Sequence, residues 1–157
     1  MRQRLTGLIV CGGILMFLAA DGWCERDYGL GIIAGEPSGL SGKMWLSDDM
    51  AVDCGMAWSF ADDASINIHS EVLWHDWHIL DDALEIDDTG RLPLYYGVGG
   101  RIKAAGETRV GVRFVVGAAF MFNYAPFDVF VELAPIMDLA PKTELRFNAA
   151  VGGRFWF

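Results

Sequence analysis

The chain has 157 residues, of which 53% are hydrophobic, and its formal net charge is −9 at neutral pH. This length fits one ordinary domain, and the hydrophobic content excludes a disordered chain. Because 12 Lys and Arg stand against 21 Asp and Glu, nucleic acid is not expected as a partner, since binding it needs clustered cations. The high hydrophobic content coexists with 21% charged residues and with no apolar run of the roughly 20 residues that a membrane-spanning helix needs.

The N-terminal residues have the layout of a secretory signal peptide. Arg2 and Arg4 precede an uncharged run from Gly7 to Ala20, and small residues follow. A run of 14 residues is too short to anchor the chain as a helix. We therefore predict a cleaved signal peptide over residues 1–22 and a mature domain over 23–157, with cleavage before Asp21 or Glu25 as alternatives. The mature chain keeps Cys54 and, depending on the cut, Cys24, which are too few for a disulfide framework.

The mature chain is punctuated by turn-forming clusters. Seven such breaks predict eight strands, and helical spacing fits nowhere outside the signal peptide. The breaks are Glu36–Gly39, Ser47–Asp49, Ala61–Asp63, Asp81–Gly90, Ala105–Glu107, Asn123–Asp128 and Pro141–Thr143.

Within each predicted strand, bulky apolar residues alternate with small or charged ones. In the sixth strand, Val112, Phe114 and Val116 share one face, while Gly111, Arg113 and Gly117 share the other. An eight-stranded barrel has an interior only just wide enough for side chains, so the bulky face cannot point inward. We therefore predict an all-β, eight-stranded, antiparallel up-and-down transmembrane β-barrel whose apolar face meets lipid.

Aromatic residues are expected near the strand ends, where they would form an interfacial girdle. These residues are Trp58, Phe60, Trp74, Tyr96, Phe120, Phe122, Phe155 and Phe157.

The charged face predicts ion pairs inside the barrel. Folding each hairpin about its turn brings residues of opposite charge near one another, and pairing is what a water-poor interior requires. The predicted pairs are Lys43 with Asp53, Glu71 with Arg101, Arg113 with Asp138, and Glu132 with Arg154.

In these features the chain resembles the small outer-membrane β-barrel proteins of Gram-negative bacteria, typified by outer-membrane proteins A and X. The last strand, LRFNAAVGGRFWF, ends in an aromatic residue. The resemblance implies an outer-membrane location, outer-membrane lipid as the surrounding partner and a monomer. It also implies a C-terminal signal read by the barrel-assembly machinery, formed here by Phe147, Val151, Phe155 and Phe157. Two segments, GLGIIAGEPSGLSGK and LPLYYGVGGRI, are similar to an uncharacterised group of short exported barrels.

One feature departs from that class. With both termini in the periplasm, the longest connection, Asp81 to Gly90, falls on the periplasmic side, and the external loops are all short. This argues against adhesion or receptor roles, which use long external loops.

Two patterns suggest chemistry. His69 and Glu71 share the inner face and could provide a general base, but Ser70 points to the other face and His75 and His78 are expected at the membrane interface. The acidic run of Asp81, Asp82, Glu85, Asp87 and Asp88 lacks the spacing of a calcium loop. No cofactor, metal or catalytic residue is predicted.

Three functions remain open. The first is a non-enzymatic outer-membrane barrel with an ion-paired, largely closed lumen, serving a structural or envelope role or acting as a narrow pore. The second is a lipid A-modifying enzyme using His69 and Glu71. The third is a soluble lipocalin-like carrier of an apolar ligand.

Overall fold

The computed structural model describes residues 27–35, 38–59, 65–84 and 88–157. The predicted signal peptide, Cys24, Phe60, Glu85, Asp87, the predicted turn Ala61–Asp63 and parts of the predicted turns Glu36–Gly39 and Asp81–Gly90 lie outside these ranges. The described residues form β1 (Tyr28–Gly35), β2 (Gly39–Trp45), β3 (Met50–Ser59), β4 (Ser65–Asp76), α1 (Ile79–Leu84), β5 (Gly90–Arg91), β6 (Leu94–Ala104), β7 (Arg109–Phe122), β8 (Phe127–Ala140) and β9 (Glu144–Trp156).

The long strands form one closed antiparallel sheet. Each pairs with the next long strand along the chain, and β1 pairs with β9 to complete the ring. The two-residue strand β5 lies in line with β6, because both pair with β7. Pro93, which has no N–H for the ladder, stands between them. The predicted all-β, eight-stranded antiparallel barrel is confirmed.

The period of two assigns each side chain to the outside or the inside of the barrel. Along β4, Ile66 and Ile68 are both 52% exposed, whereas Asn67 between them is 6% exposed and His69 and Glu71 beyond them are 2% and 3% exposed. The same alternation runs along β8, where Val131 and Leu133 point outward and Glu132 points inward. The bulky apolar face is therefore the outer face, and the charged face lines the interior.

Three large inward rings lie directly opposite glycines on the neighbouring strand. His69 pairs with Gly55, Tyr95 with Gly117, and Phe130 with Gly152. A Cβ atom added at any of these glycines would overlap the facing ring. The glycines thus provide the space that the rings occupy, which explains why glycine recurs on the inner face of the strands.

The connection after β4 contains a short helix, whereas the sequence pattern predicts no helix there. The Asp76 carboxylate accepts the backbone N–H groups of His78 and Ile79 at 3.0 and 3.1 Å, which caps α1. The Trp77 indole donates to the Asp48 carbonyl at 2.9 Å, and Asp81 accepts the Leu92 N–H at 2.7 Å. The connection is therefore tied to the barrel rim.

We call this end, which also holds the start of β1 and the end of β9, the helix end, and we call the opposite end the far end. In the described part of the chain, no helix is long and apolar enough to cross a membrane.

Candidate functional site: the interior of the barrel

Among the residues that the structure describes, nine charged side chains are buried inside the barrel, and they carry four positive and five negative formal charges. Each stands at an inward position of its strand, so the alternation of the sequence delivers them to one compartment. They are Lys43, Asp53, Glu71, Arg101, Arg113, Asp128, Glu132, Asp138 and Arg154.

Arg113 on β7 occupies the middle of this compartment and binds two carboxylates. Its Nη1 donates to Oε1 of Glu71 on β4, and its Nη2 donates to Oε1 of Glu132 on β8 at 2.5 Å. The Tyr95 hydroxyl lies 3.4 Å from the second Glu132 oxygen and donates to it. This group links the four neighbouring strands β4, β6, β7 and β8.

A second ion pair lies toward the far end. Arg101 on β6 donates to Oδ1 of Asp138 on β8. Nε of Arg146 lies 3.3 Å from the other Asp138 oxygen, and Arg146 is also 2.7 Å from Glu144. Because Arg146 is partly exposed, this pair connects the interior to the far-end rim.

A third group lies toward the helix end, around Arg154. Its guanidinium donates to Asp53 through Nη2 and to the Ser41 hydroxyl at 2.8 Å through Nε. The guanidinium carbon also lies 3.9 Å from the centre of the Phe130 ring. Asp128 is 3.9 Å from Arg154 and accepts the Trp156 indole N–H at 2.9 Å.

Lys43 does not form an ion pair with a neighbouring carboxylate within 4.0 Å among the described residues. Its Nζ instead lies 2.7 Å from Nε2 of His75, and it sits over the rings of Trp45 and Tyr95 at 4.8 and 5.1 Å. Trp45 stacks with Trp77 and Trp156 at 5.7 and 6.1 Å. These indoles cover the helix end of the interior.

All eight residues of the predicted ion pairs lie in the interior, but their partners differ from those predicted. Glu71 binds Arg113 and not Arg101. Asp138 binds Arg101 and not Arg113. Arg154 binds Asp53 and not Glu132. Lys43 and Asp53 are opposite in register, but Lys43 turns to His75. Long side chains reach across the narrow interior, so folding single hairpins could not reveal the partners.

The sequence pattern does not assign three of the interior residues to the interior. The turn signals predict that Asp128 ends a turn, but β8 begins at Phe127 and Asp128 is fully buried. The sequence predicts His75 at the membrane interface, but the structure buries it beside Lys43. The third residue is Trp156, whose position between the outward Phe155 and Phe157 indicates an inward side chain.

The two residues of the alternative catalytic site are close but are engaged otherwise. His69 Nε2 and Glu71 Oε1 are 3.9 Å apart, beyond hydrogen-bond distance, and that same Glu71 oxygen accepts from Arg113. Ser70 lies on the outer face and donates to the Asp53 carbonyl at 3.2 Å. The Asp81 carboxylate accepts the Leu92 N–H and forms an ion pair with Arg91.

Three of the four residues of the predicted assembly signal lie on the outer face of β9, and Phe157 follows directly after the strand. Phe147, Val151, Phe155 and Phe157 are each more than half exposed. They form a continuous apolar row along the last strand.

No family model matches the chain, and no curated protein matches it. Among solved structures, the crystal structure of the N-terminal β-barrel domain of OprF from Pseudomonas aeruginosa is similar. The two superpose with a TM-score of 0.57 at 12% sequence identity, covering 83% of this chain and 96% of that chain. The two chains share a fold. At this identity, the likeness extends to the arrangement of the strands and no further.

Proposed function

We propose that the protein is an integral outer-membrane β-barrel whose lumen is closed by ion pairs, and that it serves a structural or envelope-associated role. The observation that carries this proposal is the polarity of the wall. Large apolar side chains cover the outer face, while nine charged groups are buried inside. Contiguous apolar patches on soluble monomers rarely exceed a few hundred Å², so a belt around the whole barrel fits a lipid environment.

The same polarity disfavours a lipocalin-like carrier. Such a carrier needs an apolar cavity inside its barrel. Here the interior holds Arg113, Arg154 and their carboxylates, which fill the space that an apolar ligand would use.

Closure of the lumen follows from three successive groups of contacts along the barrel. Arg101 and Asp138 lie toward the far end, Arg113 with its two glutamates lies in the middle, and Arg154 with Asp53 lies toward the helix end. Eight strands leave little room beyond such side chains. We therefore expect low ionic conductance.

The proposal includes how the protein is exported and how it is oriented in the outer membrane. A cleaved signal peptide over residues 1–22 would export the chain, and the assembly machinery would read the outward apolar row of β9. Both ends of the described chain and α1 would then face the periplasm. The far-end connections would face the outside of the cell.

Fractionation and conductance test this proposal. We expect the protein in the outer-membrane fraction, with an electrophoretic band that shifts on boiling, and little conductance in planar bilayers. Recovery from the soluble periplasm without detergent would overturn the membrane location. Steady, large channels would overturn the closed lumen. An enzyme would be indicated instead if deletion of the gene changed the lipid A profile and substitution of His69 and Glu71 reproduced that change.

A further inference from the structure

The strands differ in length from one side of the barrel to the other. β7, β8 and β9 have 14, 14 and 13 residues, whereas β1 and β2 have 8 and 7. A strand rises about 3.3 Å per residue and tilts by about 40° in a small barrel. The wall is therefore about 35 Å high along β8 and about 18 Å high along β2.

The long wall is apolar on its outer face over its full length. The outward residues of β8 run from Phe127 to Leu139, and those of β9 run from Leu145 to Phe155. The apolar band of an outer-membrane barrel is about 25 Å tall. The long wall exceeds this height, and the wall formed by β1 and β2 falls short of it.

The missing height of the short wall lies at the far end. At the helix end β1 and β9 finish together, since the Phe157 N–H donates to the Tyr28 carbonyl at 3.0 Å. Toward the far end, Ala34 of β1 pairs with Val151 of β9, and Val151 lies midway between Leu145 and Phe157. The end of β1 is therefore level with the middle of the apolar band of β9.

The turn that ends the short wall is closed by residues that the structure describes. The Gly35 N–H donates to the Ser38 hydroxyl oxygen at 3.2 Å, and that hydroxyl donates to the Gly35 carbonyl at 3.0 Å. Only Glu36 and Pro37 stand between them in the sequence. Wherever these two residues lie, a link of that length cannot restore the missing height, and a carboxylate is costly at the depth of hydrocarbon.

The backbone of β9 indicates water at the same depth. β9 pairs with β8 from Glu144 to Phe155, but with β1 only from Ala150 onward. Among the described residues, the β1-facing edge from Glu144 to Ala149 has no strand partner, and the two residues of the turn tip could cover only part of it. Unpaired backbone groups do not persist against lipid, so this edge needs contact with water.

We propose that the barrel thins the outer membrane beside β1 and β2, where the leaflet at the far end bends toward the end of the hairpin and water reaches the free edge of β9. A bilayer accommodates a hydrophobic wall that is too short by thinning locally. The acyl chains that fit this side of the barrel are short or loosely ordered ones. This inference rests on the proposed membrane location.

The first test compares two cysteine positions in a chain that carries Cys24→Ser and Cys54→Ser. Ser38→Cys lies at the hairpin turn, and Leu133→Cys lies in the middle of β8, at a residue that is 58% exposed and pairs with Ala149. In dioleoylphosphatidylcholine nanodiscs, which leave both membrane faces accessible, a water-soluble maleimide should label Ser38→Cys at least about tenfold faster than Leu133→Cys.

The possible labelling results separate this inference from the proposed function. Slow labelling at both positions would place the hairpin turn in intact hydrocarbon and would overturn the thinning. Fast labelling at both positions would count against the membrane location, and therefore against the proposed function.

The second test raises the short wall. Inserting Val-Ser after Ile33 and again after Gly39 lengthens both strands of the hairpin and keeps the alternation of outward and inward residues. The folded fraction, read from the heat-sensitive electrophoretic band, is compared between vesicles of dilauroyl- and dioleoylphosphatidylcholine. We expect the insertion to raise the ratio of folding in the thicker bilayer to folding in the thinner one by about twofold or more.

The control for the second test lengthens the long wall instead. Ser-Val inserted after Leu139 and again after Thr143 extends β8 and β9, which already exceed the bilayer, and should not raise that ratio. Equal ratios for the wild type and the lengthened β1–β2 hairpin would contradict the thinning. If the lengthened hairpin folds in neither lipid, the labelling comparison decides, because it needs only single side-chain changes.

Discussion

Nζ of Lys43 lies 2.7 Å from Nε2 of His75, inside the barrel and 4.8 Å from the centre of the Trp45 ring. The other ring nitrogen, Nδ1, lies 3.2 Å from the backbone oxygen of Asp49. An ammonium group has no lone pair, so Nε2 must accept from it, and Nδ1–H then donates to the carbonyl. The contact therefore requires a neutral imidazole.

This relationship predicts opposite outcomes for two substitutions of His75. His75→Gln keeps an oxygen that can accept from Lys43 and should change stability little. His75→Lys places a second cation beside the first and should lower the free energy of unfolding by about 3–5 kcal/mol, the size seen for an uncompensated buried charge. Urea unfolding of the refolded barrel, followed by its heat-sensitive electrophoretic band, measures both. Equal loss in the two variants would show that the ring shape, and not the charge, matters.

The central arginine should be far more costly to remove alone than with its partners. Arg113→Met leaves Glu71 and Glu132 buried without their cation and should destabilise the barrel by about 3–5 kcal/mol. Adding Glu71→Gln and Glu132→Gln should recover much of that loss, because neutral amides can remain buried when they are hydrogen-bonded. The same unfolding measurement applies.

Arg91→Met serves as the control for the central arginine. This arginine is 48% exposed and lies 3.5 Å from Asp81 at the helix end, so its removal should change stability by less than about 1 kcal/mol. If the triple variant were less stable than Arg113→Met, the interaction of Arg113 with the two glutamates would not be the source of the loss.

Two glycines on opposite faces provide a packing test. Gly152 faces inward, and an added Cβ would overlap both the Phe130 ring and the Ile32 backbone oxygen. Gly152→Ala should destabilise the barrel by about 1–3 kcal/mol through overpacking. Gly100 faces outward with nothing within 4 Å of an added Cβ, so Gly100→Ala should be nearly neutral. The midpoint of urea unfolding should separate the two, and similar midpoints would contradict the crowded interior.

Cys54 reports on the surroundings of the outer face. It is exposed and lies in the middle of β3. The experiment uses the Cys24→Ser variant and a water-soluble maleimide. In phosphatidylcholine vesicles, the maleimide should label Cys54 at least about tenfold more slowly than in the denatured, detergent-free chain, because the thiolate does not form in hydrocarbon. Cys54→Ser combined with Tyr124→Cys should label rapidly, since Tyr124 is 82% exposed in a turn. Fast labelling at both positions would contradict a lipid-covered wall.

The sequence predicted which side of the barrel each strand residue faces, because that depends only on the period of two. Asp53 inward and Cys54 outward illustrate this. The sequence did not predict the ion-pair partners of the interior residues. Asp53 and Arg154 are 101 residues apart in the chain and two strands intervene between theirs, so their contact depends on how the sheet closes. The helix α1 has six residues, too few for a periodic signal, and only the capping Asp76 could have indicated it.

The pairing of inward rings with glycines also bears on how the barrel closes. β9 must align with β8 and β1 at once, and Gly152 touches both, through Phe130 and Ile32. A slip of two residues along β9 would bring Ala150 or Arg154 opposite Phe130 in place of the glycine. Either side chain would collide with the ring, so a misaligned last strand cannot seal the cylinder. The glycines opposite the inward rings therefore select the register in which β9 pairs with its two neighbouring strands.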